Sequence, residues 1–185
     1  MKNDLILNAI NDSIRGDIQS NLDSGRYRAV LILTYSAMDA MAFLNMPPTQ
    51  TEVVRKDFIE WASRYIRFPG TEQLTGEDLY GARCGLLHTY GTQSRLTRAG
   101  QCRQLIYVHG PTRTPVIPYA GTMALVMVSI PALVTALFSA IDSFLPQLFA
   151  TPDKRAVAEE RLKKLVLYEE TTSGDTRFRG FQHGM

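Results

Sequence analysis

Apolar residues recur along most of the chain with the spacing of one helix face, which predicts a largely helical protein. Ser24-Gly25 predicts the end of a first helix over residues 3–22, and a second, far more apolar helix follows over residues 26–45. The short link between them favours an antiparallel pair. The first helix carries an apolar stripe made of Leu5, Ile6, Ala9, Ile10, Ile14, Ile18 and Leu22.

Two further helices are predicted before residue 92. Thr51-Glu52 opens the third, and Pro69-Gly70 ends it. The run from Thr75 to Asp78 has the pattern of an N-cap followed by acidic first-turn residues. It predicts a short fourth helix that ends near His88 or Gly91.

The second half of the chain is more varied. Residues 104–109 and 115–119 predict two short strands around a Gly-Pro turn, and two prolines limit the second strand to a sheet edge. A long apolar helix is predicted over 121–149, kinked at Pro131. A charged helix over 153–169 follows, and residues 171–185 are predicted to form a flexible tail.

These elements predict an all-α fold, a helical bundle of about five to six helices with a small β-hairpin-like insertion near 104–119. The length of 185 residues suits one domain, which we expect over 1–170. Residues 123–141 are almost long enough to span a membrane. However, Pro131 interrupts them and flanking basic anchors are missing, so we expect a buried helix and no membrane partner.

Composition limits the classes of function that the chain can have. The net charge of +2 is too small to indicate nucleic-acid binding, which would need local basic patches. Two cysteines and three scattered histidines predict neither a disulfide framework nor a metal centre, and no cofactor is expected. The N-terminus lacks the apolar core of a signal peptide, so we expect a cytoplasmic protein with reduced thiols.

Arg83 and His88 are the strongest candidates for chemistry. A permanent cation beside a group that moves protons near neutral pH is what cleavage of an RNA phosphodiester needs. An ordinary helix end carrying one Arg and one His gives the same pattern. Residues five apart on a helix point about 140° away from each other. The two side chains would therefore meet only through the long Arg stem, through a helix loosened at Gly85, or across a symmetric dimer seam.

Other side chains form a second group of candidates. Asp39 lies in an almost wholly apolar helix, so we expect it to pair with Arg83, unless it faces water. Tyr35, one turn earlier, is expected to join this network. Tyr90 is either part of the site or an aromatic cap on the helix. A basic run without acids, which is either a phosphate-binding surface or a solvated one, contains Arg95, Arg98 and Arg103.

The pattern Arg83-x4-His88 at a helix end, after an apolar helix that carries Asp39, resembles the HEPN superfamily. With Tyr90 it fits the R-x4-H-x-Y form found in HepT-type toxins. The resemblance covers about 12 residues of sequence and is otherwise one of architecture. It implies a metal-independent RNase of a toxin–antitoxin or defence system, with its site at the interface of a homodimer. It also implies RNA as substrate and an antitoxin or nucleotidyltransferase as a further partner.

Two hypotheses follow. In the first, the chain is an RNA endonuclease in which Arg83 binds the phosphate, His88 is the general acid or base and Asp39 orients Arg83. In the second, the same residues form a structural network in a non-catalytic dimerisation module that binds a nucleotide or a partner protein. Cys84, which stands where active HEPN members usually have a polar residue, favours the second.

Overall fold

The computed structural model describes residues 5–110, 116–118 and 124–162, and these are mostly helical with a small three-stranded sheet. The helices are α1 (Leu5–Asn8), α2 (Gly16–Asp23), α3 (Tyr27–Asn45), α4 (Arg55–Tyr65), α5 (Gly76–Thr89), α6 (Arg95–Arg98), α7 (Ile130–Leu148) and α8 (Pro152–Leu162). A π-helical segment, Ala9–Arg15, joins α1 to α2. The strands are β1 (Gln104–Val108), β2 (Val116–Pro118) and β3 (Leu125–Ser129).

The first predicted helix is one continuous helical run with a widened middle. Asn8 and Gly16, which flank the π-helical segment, both keep right-handed helical backbone angles. Arg15 ends the segment, and its guanidinium binds Asp142 and the carbonyl of Phe138 on α7. This wide turn therefore carries the residue that ties the N-terminal helix to α7. Gly25, at φ +68°, allows the chain to turn back into α3, as the Ser-Gly signal predicted.

The core is built around α3, which packs against α2, α4, α5, α7 and α8. On one side of it Trp61, Tyr65 and Phe144 form an aromatic cluster with ring centroids 5.3 to 5.9 Å apart. Both α3 and α7 are long and apolar enough to cross a membrane, and half of each such stretch is buried in the structure. Core helices of soluble proteins have this same property.

The sheet differs from the predicted hairpin. β1 and β2 do not pair, because β3 lies between them, parallel to β1 and antiparallel to β2. β2 is an edge strand, as its prolines indicated. The prediction of one helix over 121–149 was wrong, since Leu125–Ser129 is a strand and the helix begins at Ile130. A continuous apolar run does not distinguish a buried strand from a buried helix.

Several predictions of where helices begin or bend were wrong. Pro131 does not kink α7 but occupies its first turn, where the missing N–H costs nothing, and Ser129 caps it. Helix α4 begins at Arg55 rather than at Thr51-Glu52, and it ends at Tyr65. The short helix α6 was not predicted. The predicted continuation of the last helix beyond 162 and the tail over 171–185 lie outside the described residues.

Candidate functional site

Helix α5 carries both Arg83 and His88. Its N-terminus is a capping box in which the Thr75 hydroxyl accepts from the Asp78 N–H, and an Asp78 carboxylate oxygen accepts from the Thr75 N–H. The helix continues without a break through Gly85 to Thr89. The loosening expected at Gly85 is therefore absent, and the Cα–Cβ bonds of Arg83 and His88 diverge by about 140°.

The predicted pair of Asp39 and Arg83 is present. The Arg83 Nε donates to Oδ2 of Asp39 over 2.9 Å, and it links α5 to α3. The two side chains are 24% and 26% exposed, so the pair lies at the boundary between core and solvent. Asp39 accepts from Nε of the guanidinium, and the neighbouring Cys84 thiol also interacts with Arg83.

His88 is exposed, and its charge is the smallest of the influences on the pKa of Asp39. Burial raises the pKa of Asp39 above its usual value, while the hydrogen bond and charge of Arg83 and the positive charge of protonated His88 lower it. The pKa of Arg83 is raised, because the bond and charge of Asp39 outweigh the effect of burial. Asp39 is thus the point at which the electrostatic effects of Arg83 and His88 meet, although the two residues leave α5 in different directions.

Gly85 has a different role from the one expected. A Cβ at this position would lie 3.0 Å from the carbonyl oxygen of Gly91 and 3.2 Å from that of Gln93. Glycine gives the chain after α5 room to fold back against the helix, whereas a Cβ would press on the backbone of Gly91 and Gln93. Tyr90, at the turn, has a left-handed backbone with φ 54° and is 68% exposed.

Tyr35 does not join the Asp39 network. Its hydroxyl shares a hydrogen bond of 2.6 Å with the hydroxyl of Tyr107 on β1, and its side chain is fully buried. Burial raises the pKa of both phenols well above their ordinary value. The Tyr35–Tyr107 hydrogen bond therefore links α3 to the sheet, and it gives the buried Tyr35 hydroxyl the partner that it needs.

Arg103 is not free to bind phosphate. Its guanidinium donates to Asp78 through Nε at 3.0 Å and through Nη2 at 2.7 Å, and to Glu72 through Nη1 at 2.5 Å. Nη2 also donates to the Gln73 carbonyl, and the Arg103 N–H donates to Asp78. Arg103, the last residue of the basic run predicted over Arg95, Arg98 and Arg103, is thus part of a structural hydrogen-bond network. Arg95 and Arg98 are exposed on α6.

This network around Asp78 was missed from the sequence. Asp78 was recognised only as an acidic first-turn residue, yet its side chain is 3% exposed and holds the loop before β1 against α5. Burial raises its pKa, but the hydrogen bonds of Arg103 and Thr75 and the charge of Arg103 outweigh burial, and the pKa is lowered. A buried carboxylate needs such partners.

Both cysteines are free and half-buried. Cys84 interacts with Tyr80, whose ring lies under the Arg55 guanidinium at 5.5 Å. Cys102 packs over Gly81, where a Cβ would lie 2.3 Å from its sulfur. Burial raises the pKa of the Cys102 thiol, and the negative charge of Asp78 adds to this effect. Cys84 also interacts with the Arg83 guanidinium, so this thiol lies directly at the candidate site.

Two other features of the described residues bear on ligand binding. These residues contain no group of three or more His, Cys, Asp or Glu side chains suited to a metal ion. A cavity of about 350 Å³ lies between the end of α3 and α8, and it is lined by Phe43, Pro48, Gln50, Thr51, Ala156, Val157, Glu160 and Arg161. None of the candidate site residues lines it.

Comparison of the chain with protein-family models, with curated proteins and with solved structures gives no match. The geometry of the residues themselves therefore carries the functional argument.

Proposed function

We propose that the chain is a metal-independent RNA endonuclease of the HEPN type, cytoplasmic and acting as a toxin or defence component. The observation that carries the proposal is the Asp39–Arg83 bond at a solvent boundary, on the helix that also presents the exposed His88. A cation fixed by a carboxylate is a prepared binding group for phosphate, because it does not have to be ordered when substrate arrives.

In this proposal the RNA supplies its own nucleophile. His88 takes the proton of a 2′-hydroxyl, and the 2′-oxygen attacks the adjacent phosphorus while the 5′-oxygen leaves. The terminal nitrogens of Arg83 stabilise the charge that grows on the phosphate oxygens. The products are a 2′,3′-cyclic phosphate and a 5′-hydroxyl. A symmetric homodimer would bring a second His88, which could give the leaving oxygen its proton.

Cleavage of RNA by the purified full chain in EDTA tests the proposal. Arg83→Ala and His88→Ala are each expected to lower the rate by about 10²- to 10⁴-fold, the range for loss of a catalytic acid or base. The new 5′ ends should accept phosphate from polynucleotide kinase without prior phosphatase treatment. Cleavage that survives in the Arg83→Ala, His88→Ala double variant would contradict the assignment.

His109, which directly follows β1, provides a matched control. His109 is also exposed, and its ring stacks on Tyr27 with centroids 4.3 Å apart, outside the Asp39–Arg83 pair. His109→Ala removes an imidazole of similar exposure and is expected to leave cleavage unchanged. A loss of activity in this variant equal to that of His88→Ala would show that the assay reports stability rather than chemistry.

A non-catalytic module is the second candidate, and one observation favours it. Asp39 already offsets the charge of Arg83 in the free chain, which weakens the attraction of this cation for phosphate. In that case the surface would bind a nucleotide or a partner protein, such as an antitoxin or a nucleotidyltransferase. Binding of RNA or nucleotide without any cleavage, and without effect of His88→Ala, would support this candidate.

A further inference from the structure

Tyr90 occupies a position that favours glycine. At the end of α5 it has φ 54° and ψ 20°, a left-handed conformation that is uncommon for residues other than glycine. Glycine adopts this conformation at no steric cost and is the usual residue at such helix ends, and the chain has a glycine one position later, at Gly91. Tyr90 is 68% exposed, so packing in the core does not explain why a tyrosine stands at this position. A backbone outlier of this kind points to a functional use of the side chain.

Backbone hydrogen bonds hold Tyr90 in the turn that ends α5, two residues after His88. The Tyr90 N–H donates to the carbonyl of Leu86 over 2.9 Å, and the Gly91 N–H donates to that of Gly85 over 3.2 Å. The missing Cβ of Gly85 lets residues 91–93 pack directly on the helix. Tyr90 therefore lies in a hydrogen-bonded turn, two residues after the proposed acid or base.

Positive charge follows α5 directly in the sequence. Residues 91–103 contain no acidic residue. Helix α6 packs against α5 and presents Arg95 and Arg98 to solvent. An exposed aromatic ring, followed a few residues later by exposed cations, is a combination suited to single-stranded nucleic acid, because cations hold phosphates while a ring stacks on a base.

We propose that Tyr90 stacks on an unpaired base next to the scissile phosphate, so that the substrate is single-stranded RNA. The position next to a scissile phosphate rests on the proposed function, whereas the stacking of Tyr90 on an unpaired base does not. In an A-form duplex each base is stacked on its neighbours and its faces are covered, so an aromatic ring reaches only unpaired bases. Tyr90 is then a specificity-determining residue.

Binding to an RNA that cannot be cleaved tests the inference apart from catalysis. The probe is a fluorescent single strand of about 12 nucleotides with 2′-O-methyl sugars, which lack the nucleophile and fall within the site sizes of stacking proteins. Tyr90→Asn removes the ring but keeps a residue that tolerates the left-handed backbone. It is expected to weaken binding roughly 5- to 100-fold, the range for loss of one base–aromatic stack. Tyr90→Phe and Tyr90→Trp should bind like the parent chain.

The controls separate stacking from other effects. Val54, a further exposed apolar residue at 53%, is changed to Thr, and binding should not change. The same probe annealed to its complement should bind weakly and show no effect of Tyr90→Asn. Equal binding of duplex and single strand by the parent chain, or full binding by Tyr90→Asn, would overturn the inference. So would a change in oligomeric state of Tyr90→Asn, because Tyr90 would then be a protein contact.

The two proposals fail in different ways. If single strands bind through Tyr90 but no RNA is cut in EDTA, the nuclease assignment fails and the binding surface stands. If RNA is cut in a His88-dependent way while Tyr90→Asn binds and cuts like the parent chain, the nuclease stands and the role of Tyr90 is refuted.

Discussion

Nε of Arg83 and Oδ2 of Asp39 lie 2.9 Å apart, and this bond joins the central helix α3 to the helix that carries His88. It is the one contact of the candidate site that the sequence predicted as a pair and the structure contains as a pair. Through this bond to Nε, Asp39 restrains the Arg83 side chain against α3. Asp39 is therefore a positioning residue in the proposed reaction.

Replacing Asp39 should lower the rate of cleavage more than the affinity for RNA. Asp39→Ala frees the Arg83 side chain, and we expect the single-turnover rate at saturating RNA to fall about 10- to 100-fold, as for other losses of positioning. Asp39→Asn keeps an oxygen acceptor for Nε and should lose less. If Asp39 only neutralises Arg83, both variants would instead bind RNA more tightly with no loss of cleavage rate, and the positioning role of Asp39 would be refuted.

The sequence predicted Asp39–Arg83 and missed Asp78–Arg103 for a physical reason. A carboxylate in an apolar helix shows locally that a partner is needed, and the chain offered one cation in the nearby motif. Arg103 belongs to a run without acids, and its acidic partners lie 25 and 31 residues earlier. Only the folded chain brings them together, so the same basic run had to be interpreted as solvent-facing.

The fold shows the same division between local and non-local signals. The Thr75 cap and the Gly25 turn depend on neighbouring residues, and both are present as predicted. Strand β3 depends on pairing with β1, some twenty residues earlier in sequence, where Leu105 lies opposite Val126. Helix or strand was therefore undecidable for that apolar run until its partners were known.

Gly85→Ala should destabilise the chain because the new Cβ would meet backbone rather than a mobile side chain. With contacts of 3.0 to 3.2 Å to Gly91 and Gln93, residues 91–93 have to shift, and we expect a loss of about 1–3 kcal/mol in the free energy of unfolding. The matched control is Gly16→Ala, since a Cβ there lies 3.6 Å from its nearest neighbour. Inside a helix this change should stabilise by about 0.5–1 kcal/mol. Urea unfolding of both variants checks the pair; equal effects would contradict the packing role.

Removing Arg103 should cost stability rather than RNA affinity. Arg103→Ala leaves the buried Asp78 carboxylate without its guanidinium, and loss of one partner of such a pair costs about 3 kcal/mol or more. Glu72 is 34% exposed, so Glu72→Gln should cost no more than about 1 kcal/mol. Denaturant unfolding measures both. A stable Arg103→Ala protein that has lost RNA binding would restore Arg103 to the phosphate-binding surface.

The lowered pKa of Asp78 predicts a loss of stability in acid. The unfolded chain takes up the Asp78 proton at about pH 3.9, and the folded chain does so only at lower pH. The stabilising contribution is therefore complete above the unfolded value and disappears as pH falls through the folded value. Asp39, whose pKa is raised, acts in the opposite direction. In Asp78→Asn the free energy of unfolding should change less between about pH 6 and pH 3 than in the parent chain; an unchanged pH profile would contradict the assignment.

Arg95 and Arg98 should account for part of the salt dependence of RNA binding. Both are exposed on α6, and each phosphate contact that is lost reduces the slope of log affinity against log salt by about 0.7 for a single strand. The double variant Arg95→Ala, Arg98→Ala is thus expected to reduce the slope by about 1.4, measured with the uncleavable single strand over a salt series. Arg28→Ala, which removes an exposed arginine on α3, is the control and should leave the slope unchanged. An equal effect of Arg28→Ala would mean that the attraction comes from the whole surface and that α6 is not a specific path for the RNA backbone.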